Sequence, residues 1–490
     1  MFAPLDETKA VFFAEELIKQ FDENGVDSVL GSEKSGQKCS EFAKESERSN
    51  GMMFGILVAE DKDGQEIVLK AFSGQYKSKW IIEGWVPPLL DTEEFYKLTE
   101  ESDRQIHLIS DGIEKLEKEK ASEDTIKKLE DLKAERKAAS KKSMQEIFAL
   151  YRIPVIAGFK TVETVRTENP KNGKIIEKYR LCPVIEERSI FDFFEKKSSK
   201  KEKVLPPTGT GECCAPKLLG YALKNGLTPV SMTEFFYGES SPSAIRLHKH
   251  FYPPCDEKCA PLLPSMLGIK IIYRDKNLVV VEKPSGLLSV PGRGPEKQDC
   301  VVNRVKYLFK TLMTIEQPAV HRLDMETSGL MVLAFDEETH RKLNRQFENG
   351  LVFKQYIAVL ERIPEEIKSG RTKGIIKLPF RLDVENRPHQ IYDEVYGKTG
   401  ITEWEFIRGE KGGKNGETRC RMLYTPKTGR THQLRLHSAD THGFGVPISG
   451  DELYGSGKKS AERLLLHAAK LEFTHPVTGE RLKFFSKPEF

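Results

Sequence analysis

Residues 92–151 run for sixty positions without a proline and with one glycine, Gly112, in a background of Glu, Lys, Leu and Ala. A stretch of that composition has little alternative to helix. Ile106, Ile109, Ile113 and Leu116 step at helical intervals, as do Ile126, Leu129 and Leu132. Ala121–Thr125 interrupts the pattern, so the spacing predicts an antiparallel helical hairpin or coiled coil rather than one rod. Its charges are nearly balanced, which suits a solvated projection better than a phosphate-binding arm.

Strand-like sequence lies on both sides of it. Residues 1–50 are polar with one short helix predicted near Lys9–Gln20, and then MMFGILVAE, the turn DKDG and QEIVLKAF read as a β-hairpin. After the helices come RIPVIAGF and KYRLCPVI, so the hairpin is expected to be inserted in a small β-rich domain. The charged run at 195–203 and the following LPPTGTGE read as an exposed loop. A new texture begins near residue 266. The expected organisation is an N-terminal β-rich extension (1–91), the helical hairpin (92–151), a continuation carrying a cysteine cluster (152–265) and an α/β catalytic domain (266–490).

Charge follows that division. Residues 266–490 hold 37 Lys+Arg against 29 Asp+Glu, whereas the whole chain is only +3. A basic half joined to an acidic half is expected if one half meets phosphates. No stretch approaches the ~20 apolar residues needed to cross a bilayer, and MFAPLDETKA lacks the pattern of a signal peptide. The expected location is cytoplasmic, with no membrane partner. Cys213, Cys214, Cys255 and Cys259, near His248 and His250, make a structural zinc a candidate. Buried unliganded thiols are the competing reading.

In the second half, IIYRDKNLVVVEKPSG contains two strands divided by a turn at Asp275–Asn277. LMVLAF (330–335), a helix at Glu337–Glu348, YIAVLE, and the closing pair LLLHAAKLEF and RLKFF follow. Short connections favour a mixed, mostly antiparallel sheet with flanking helices, an α+β fold. HRLDMETSGLMVLAF (321–335) sets Asp324 beside Arg322 in a turn before a buried strand. Asp324 could be no more than a cap. However, GRTHQLRLH (429–437) gathers two arginines and two histidines, and guanidinium groups favour the charged form of a carboxylate, as a nucleophile or base requires.

These runs resemble the signature of the RluA-type pseudouridine synthases. KPSGLLSVPGR (283–293), HRLDMETSGL (321–330), KQYIAVL (354–360), NRPHQ (386–390), GRTHQLRLH, ISGDELYG (448–455) and LLLHAAKLEFTHP (464–476) match in the family's order. The resemblance implies a pseudouridine-synthase-type fold and a cofactor-free isomerisation of uridine in ribosomal or transfer RNA. It implies that Asp324 is the catalytic carboxylate, that Arg435 pairs with it, and that Tyr356 stacks on the target base. It further implies that Arg322 fills the gap left by a flipped nucleotide; Arg293, Arg322, Arg387 and Arg430 are the residues expected to bind RNA phosphate. His321, His432 and His437 are expected to pack rather than to transfer protons. The alternative is a non-catalytic RNA-binding or ribosome-assembly factor with a retained fold. Nothing in the first half resembles the S4-type RNA-binding domain that many relatives carry.

Overall fold

The computed structural model describes residues 5–31, 51–118, 123–168, 175–194, 204–240, 245–254, 258–412 and 418–490. It divides into two compact units. The first runs to Gly158 and resumes over Pro183–Gly268; the second comprises Phe159–Cys182 and Ile269–Phe490. No described helix is long and apolar enough to cross a membrane.

The first unit opens with α1 (Thr8–Asn24) and α2 (Val26–Leu30), followed by β1 (Met52–Glu60) and β2 (Glu66–Phe72). The β1–β2 hairpin pairs antiparallel, from Phe54 opposite Phe72 to Glu60 opposite Glu66. The helices α3 (Thr92–Glu117) and α4 (Glu123–Ala149) form the hairpin foreseen from periodicity. Asp91 caps α3 by accepting from Glu93 N and Glu94 N at 3.0 and 3.1 Å, an interaction worth about 1 kcal/mol. Next come β3 (Arg152–Glu168) and β4 (Ile175–Ser189), which pair with each other and whose stretch Phe159–Cys182 belongs to the second unit. The unit is completed by α5 (Cys214–Lys224), β5 (Thr228–Tyr237), β6 (Phe251–Tyr252) and α6 (Leu263–Met266).

Its antiparallel sheet has the order β2-β1-β5-β6. Strand alternation explains why β1 is buried on both faces. Phe54, Ile56 and Val58 share a cluster with Ala10, Ala14, Leu17 and Phe21 of α1. Gly55, between them, faces α5, where an added Cβ would lie 2.5 Å from Cys214 Cβ.

That packing removes the basis for the four-thiol zinc site. The Cys214 thiol lies under the sheet, donating to Met53 O at 3.4 Å and Ala71 O at 3.7 Å. Burial pushes it well above the usual thiol range, so it stays protonated rather than becoming a thiolate ligand. Cys259 accepts from Gly211 N at 3.3 Å, and His248 Nδ1 from Gly238 N at 2.9 Å. Cys255 lies outside the described residues, among which no group of three or more His, Cys, Asp or Glu side chains could hold a metal ion. The zinc expected on Cys213, Cys214, Cys255 and Cys259 is therefore unsupported, because at least Cys214 is committed to the sheet.

The second unit contains β7 (Lys270–Arg274), β8 (Leu278–Lys283), α7 (Val301–Leu308), β9 (Ser328–Ala334) and α8 (Glu337–Glu348). It continues with β10 (Phe353–Leu360), α9 (Glu365–Lys368), β11 (Lys373–Leu382), β12 (Gln390–Tyr392) and β13 (Lys398–Glu410). The last elements are β14 (Arg419–Pro426), α10 (Gln433–Ala439), β15 (Leu466–Thr474) and β16 (Arg481–Phe485). They build one mixed sheet of order β12-β11-β13-β14-β10-β15-β9-β8-β7, with β16 beside β15. The β15–β9 pair is parallel, while β10 pairs antiparallel with both β14 and β15. This is the α+β architecture read from the sequence. The turn between β7 and β8 is set by Asp275 Oδ1, which accepts from Asn277 N and Leu278 N at 2.7 and 2.9 Å. Asp336 caps α8 through Thr339 N at 2.8 Å. One hydrophobic cluster gathers Trp404, Met422, Tyr424 and Leu436; another gathers Val280, Val332, Leu343 and Phe473.

Candidate active site

Strand register brings the site together. Tyr356 of β10 lies opposite Ala468 of β15, and Ala468 lies opposite Gly329 of β9. Only β15 thus separates Tyr356 from the start of β9 and the loop that precedes it. Gly329 has φ +117°, and a Cβ there would sit 2.4 Å from Ala468 O. Only glycine lets β9 meet β15 at this point.

Asp324 occupies the loop before Gly329, and the main chain on both sides of it is tied down by the KPSGLLS block. The Ser289 hydroxyl donates to Leu323 O at 2.6 Å and accepts from Leu323 N at 3.0 Å. The buried Lys283 Nζ donates to Met325 O at 2.6 Å, Leu287 O at 2.6 Å and Pro284 O at 2.9 Å. Burial pulls the Lys283 ammonium down to about 7, with Glu326 and Asp324 opposing the shift. Ser285 donates to Glu326 O at 2.7 Å, and Gly286 N to Met325 O at 2.9 Å. Two runs about forty residues apart therefore make one rigid platform for Asp324, whose side chain is 22% exposed.

Facing it is the start of α10. Arg435 Nη1 is 3.9 Å from Asp324 Oδ2, and His432 Nε2 is 4.0 Å from Asp324 Oδ1. The short bonds of Arg435 go elsewhere: Nε to Asp451 Oδ2 at 2.8 Å and Nη2 to Asp451 Oδ1 at 2.6 Å. The expected Asp324–Arg435 pairing thus exists as the longer of two contacts. Arg435 also lies over the Tyr454 ring at 5.3 Å. The Tyr454 hydroxyl accepts from Gln390 N at 2.8 Å and shares a hydrogen bond with His432 Nδ1 at 2.9 Å. These links hold His432 at φ 55°, a left-handed conformation for a non-glycine residue.

Of the three histidines, His432 faces Asp324, while His321 and His437 are held by their surroundings. His321 Nε2 accepts from Val332 N at 3.1 Å and stacks on Phe347 with centroids 4.6 Å apart. Burial pushes it down to about 3, and His437, fully buried, to about 4; burial lowers His432 as well. The Tyr356 hydroxyl is raised far above the usual phenol range by burial and then by the Asp324 charge, so it remains protonated.

Asp324, Tyr356, Arg435, His432, Arg322 and Arg430 line one cleft of about 1110 Å³. Arg293 and Arg387 are exposed and lie outside that lining. Lys354, Lys427 and Arg481 line it too, and sequence reasoning did not single them out. It also missed Asp451 and Tyr454, although both stand in the ISGDELYG block. The aspartate directly after Gly450 in that block was the available signal.

Residues 277–440 match the family model described as RNA pseudouridylate synthase. The dual-specificity RNA pseudouridine synthase RluA of Haemophilus influenzae is 42% identical over 224 residues, covering 45% of this chain and 94% of that protein. The RluA of Yersinia pestis is 41% identical over 222 residues, covering 45% and 99%. That of Escherichia coli K12 is 38% identical over 229 residues, covering 46% and 96%. Nearly the whole of each relative is matched by less than half of this chain. The chain belongs to the RluA-type RNA pseudouridine synthases.

Proposed function

We propose that this protein isomerises specific uridines in ribosomal and transfer RNA to pseudouridine, with Asp324 as the catalytic carboxylate. The observation that carries the reading is the meeting of Asp324, Tyr356 and Arg435 in one cleft. A cleft of about 1110 Å³ is larger than most small-molecule sites, which run to about 1,000 Å³. It suits a nucleotide presented with its neighbours.

The chemistry follows from the target. A stacked, paired uridine hides C1′ and its base cannot turn, so the nucleotide leaves the helix at a cost of a few kcal/mol. Asp324 attacks C1′ or removes a sugar proton, and in either path the C1′–N1 bond breaks with its electron pair on uracil. The base rotates in place and C5 bonds to C1′, as the Asp324–C1′ bond breaks in the first path or as Asp324 returns the sugar proton in the second. The C5 proton is then lost to solvent and N1 gains one, so the reaction is an isomerisation. The base is both leaving group and incoming nucleophile, and no cofactor takes part. Tyr356, protonated across the neutral range, offers its ring face to the base and its hydroxyl as a hydrogen-bonding group, not a phenolate. Arg435 orients Asp324. Arg322 takes the space of the extruded nucleotide, Arg430 meets phosphate at the rim, and Arg293 and Arg387 extend the RNA contact on exposed loops. The reaction is placed in the cytoplasm, where its RNA substrates are.

The test is to incubate the full chain with ribosomal and transfer RNA transcripts and map pseudouridine by carbodiimide-dependent reverse-transcription stops. Stops at defined uridines are expected. RNA bound without any new stop would favour the non-catalytic binding factor instead.

A further inference from the structure

We propose that Asp451 is a positioning residue of the isomerisation, drawing the hydrogen-bonding fork of Arg435 away from Asp324 so that the oxygens of the reacting carboxylate stay free to react. This rests on the assignment of Asp324 as the reacting carboxylate.

Two carboxylates compete for one guanidinium, and the geometry decides between them. Asp451 is 1% exposed and takes both short bonds, at 2.6 and 2.8 Å, in the bidentate arrangement that is the strongest such pairing. Asp324 is left with Nη1 at 3.9 Å. Asp451 cannot swing toward another partner, because its Oδ1 also accepts from Leu453 N at 2.9 Å and Tyr454 N at 3.1 Å. Main-chain donors thus fix the carboxylate, the carboxylate fixes the guanidinium, and the Tyr454 ring bounds the guanidinium at 5.3 Å. Were Arg435 to give its fork to Asp324, the carboxylate lone pairs needed for attack at C1′ would be engaged in the ground state. With Asp451 in place the pair is close to neutral, and Arg435 guides Asp324 without neutralising it.

The groups around Asp324 set the sign of the test. Arg435 and His432 face it from the start of α10, Tyr356 from β10, Tyr454 from the 448–455 loop and Lys283 from the end of β8; Arg322 and Glu326 flank it on its own loop. Asp451→Asn removes one negative charge from this set and leaves every cation in place. Arg435 then turns its full charge on Asp324.

The experiment measures tritium release from C5-labelled bulk ribosomal and transfer RNA by the wild type, Asp451→Asn and Asp451→Glu, with pH–rate profiles and thermal melts. Asp451→Asn should lose kcat about a hundredfold, the scale of a mispositioned catalytic group, with KM within a factor of two. Its acidic limb should move to lower pH. Asp451→Glu keeps the charge and displaces it by one methylene, so its kcat should fall less and its acidic limb should stay in place; it carries the test if Asp451→Asn does not fold. A folded Asp451→Asn with wild-type kcat and profile overturns the proposal. So does lower activity with an unshifted limb and a lowered melting temperature, which is loss of folded enzyme alone. If Asp451→Asn does not fold, wild-type kcat in Asp451→Glu overturns it. Absence of release by the wild type instead removes the function on which the proposal rests.

Discussion

At the scale of single residues, the proposed function separates, within one cleft, charge that reacts from charge that holds RNA. Arg430 is exposed at its rim, without the buried fork that occupies Arg435. Arg430→Ala should weaken binding to all RNA sequences alike and lower the slope of log affinity against log salt by about one. Binding titrations at several salt concentrations read both effects, and an unchanged slope would remove Arg430 from the phosphate contact. The histidines make a prediction of opposite kind. His321 and His437 are held to about 3 and 4 by burial, below the ordinary histidine value. The unfolded chain therefore binds more protons than the folded one between those values and about 6.5. Stability should be full above about pH 6.5 and fall as acid is added toward pH 4. Urea midpoints across that range should fall less in His437→Leu than in the wild type, since both ring nitrogens of His437 lack a hydrogen-bond partner among the described residues.

At the scale of elements, the sequence made some parts plain and hid others for physical reasons. The helix at Glu337–Glu348 and the β1 and β2 strands were legible because local signals agree with the final packing: an Asp336 cap, and a DKDG turn between two apolar runs. The strands β11 to β14 were not singled out. In β11 every second residue, Ile376, Leu378 and Phe380, is buried, but Ile375 and Pro379 on the other face blur that alternation in the sequence, and β13 carries a bulge near Phe406. Asp324, Tyr356 and Arg435 were identified through motif resemblance, but what holds them was not, because those supports are long-range. Lys283 shows why. In sequence it is one lysine beside a proline, and in the fold its ammonium joins three carbonyls from two segments. Lys283→Met keeps the volume and removes all three bonds. It should lower stability by about 2–3 kcal/mol and reduce kcat further than that loss explains, because Met325, next to Asp324, is released. Chemical denaturation with matched kinetics checks it; full kcat in a destabilised variant would show that the loop is held without Lys283.

At the scale of the molecule, two observations bear on the first unit. The hydrophobic cluster around Phe21, Phe54 and Phe235 has no residue in common with those of the second unit. The RluA relatives, matched over 94–99% of their own length, correspond to less than half of this chain. Units with separate cores unfold separately unless a large interface couples them. Calorimetry on the whole chain should therefore resolve two transitions, with substrate RNA raising the one that belongs to the second unit. A single transition shifted as a whole by RNA would mean that the units fold as one.

The most direct test of the account is tritium release from C5-labelled uridine in bulk ribosomal and transfer RNA, comparing the wild type with Asp324→Asn. The account predicts release by the wild type and none above background by the variant, with RNA binding retained. Equal release by both would contradict the assignment of Asp324, and release by neither would contradict the isomerase itself.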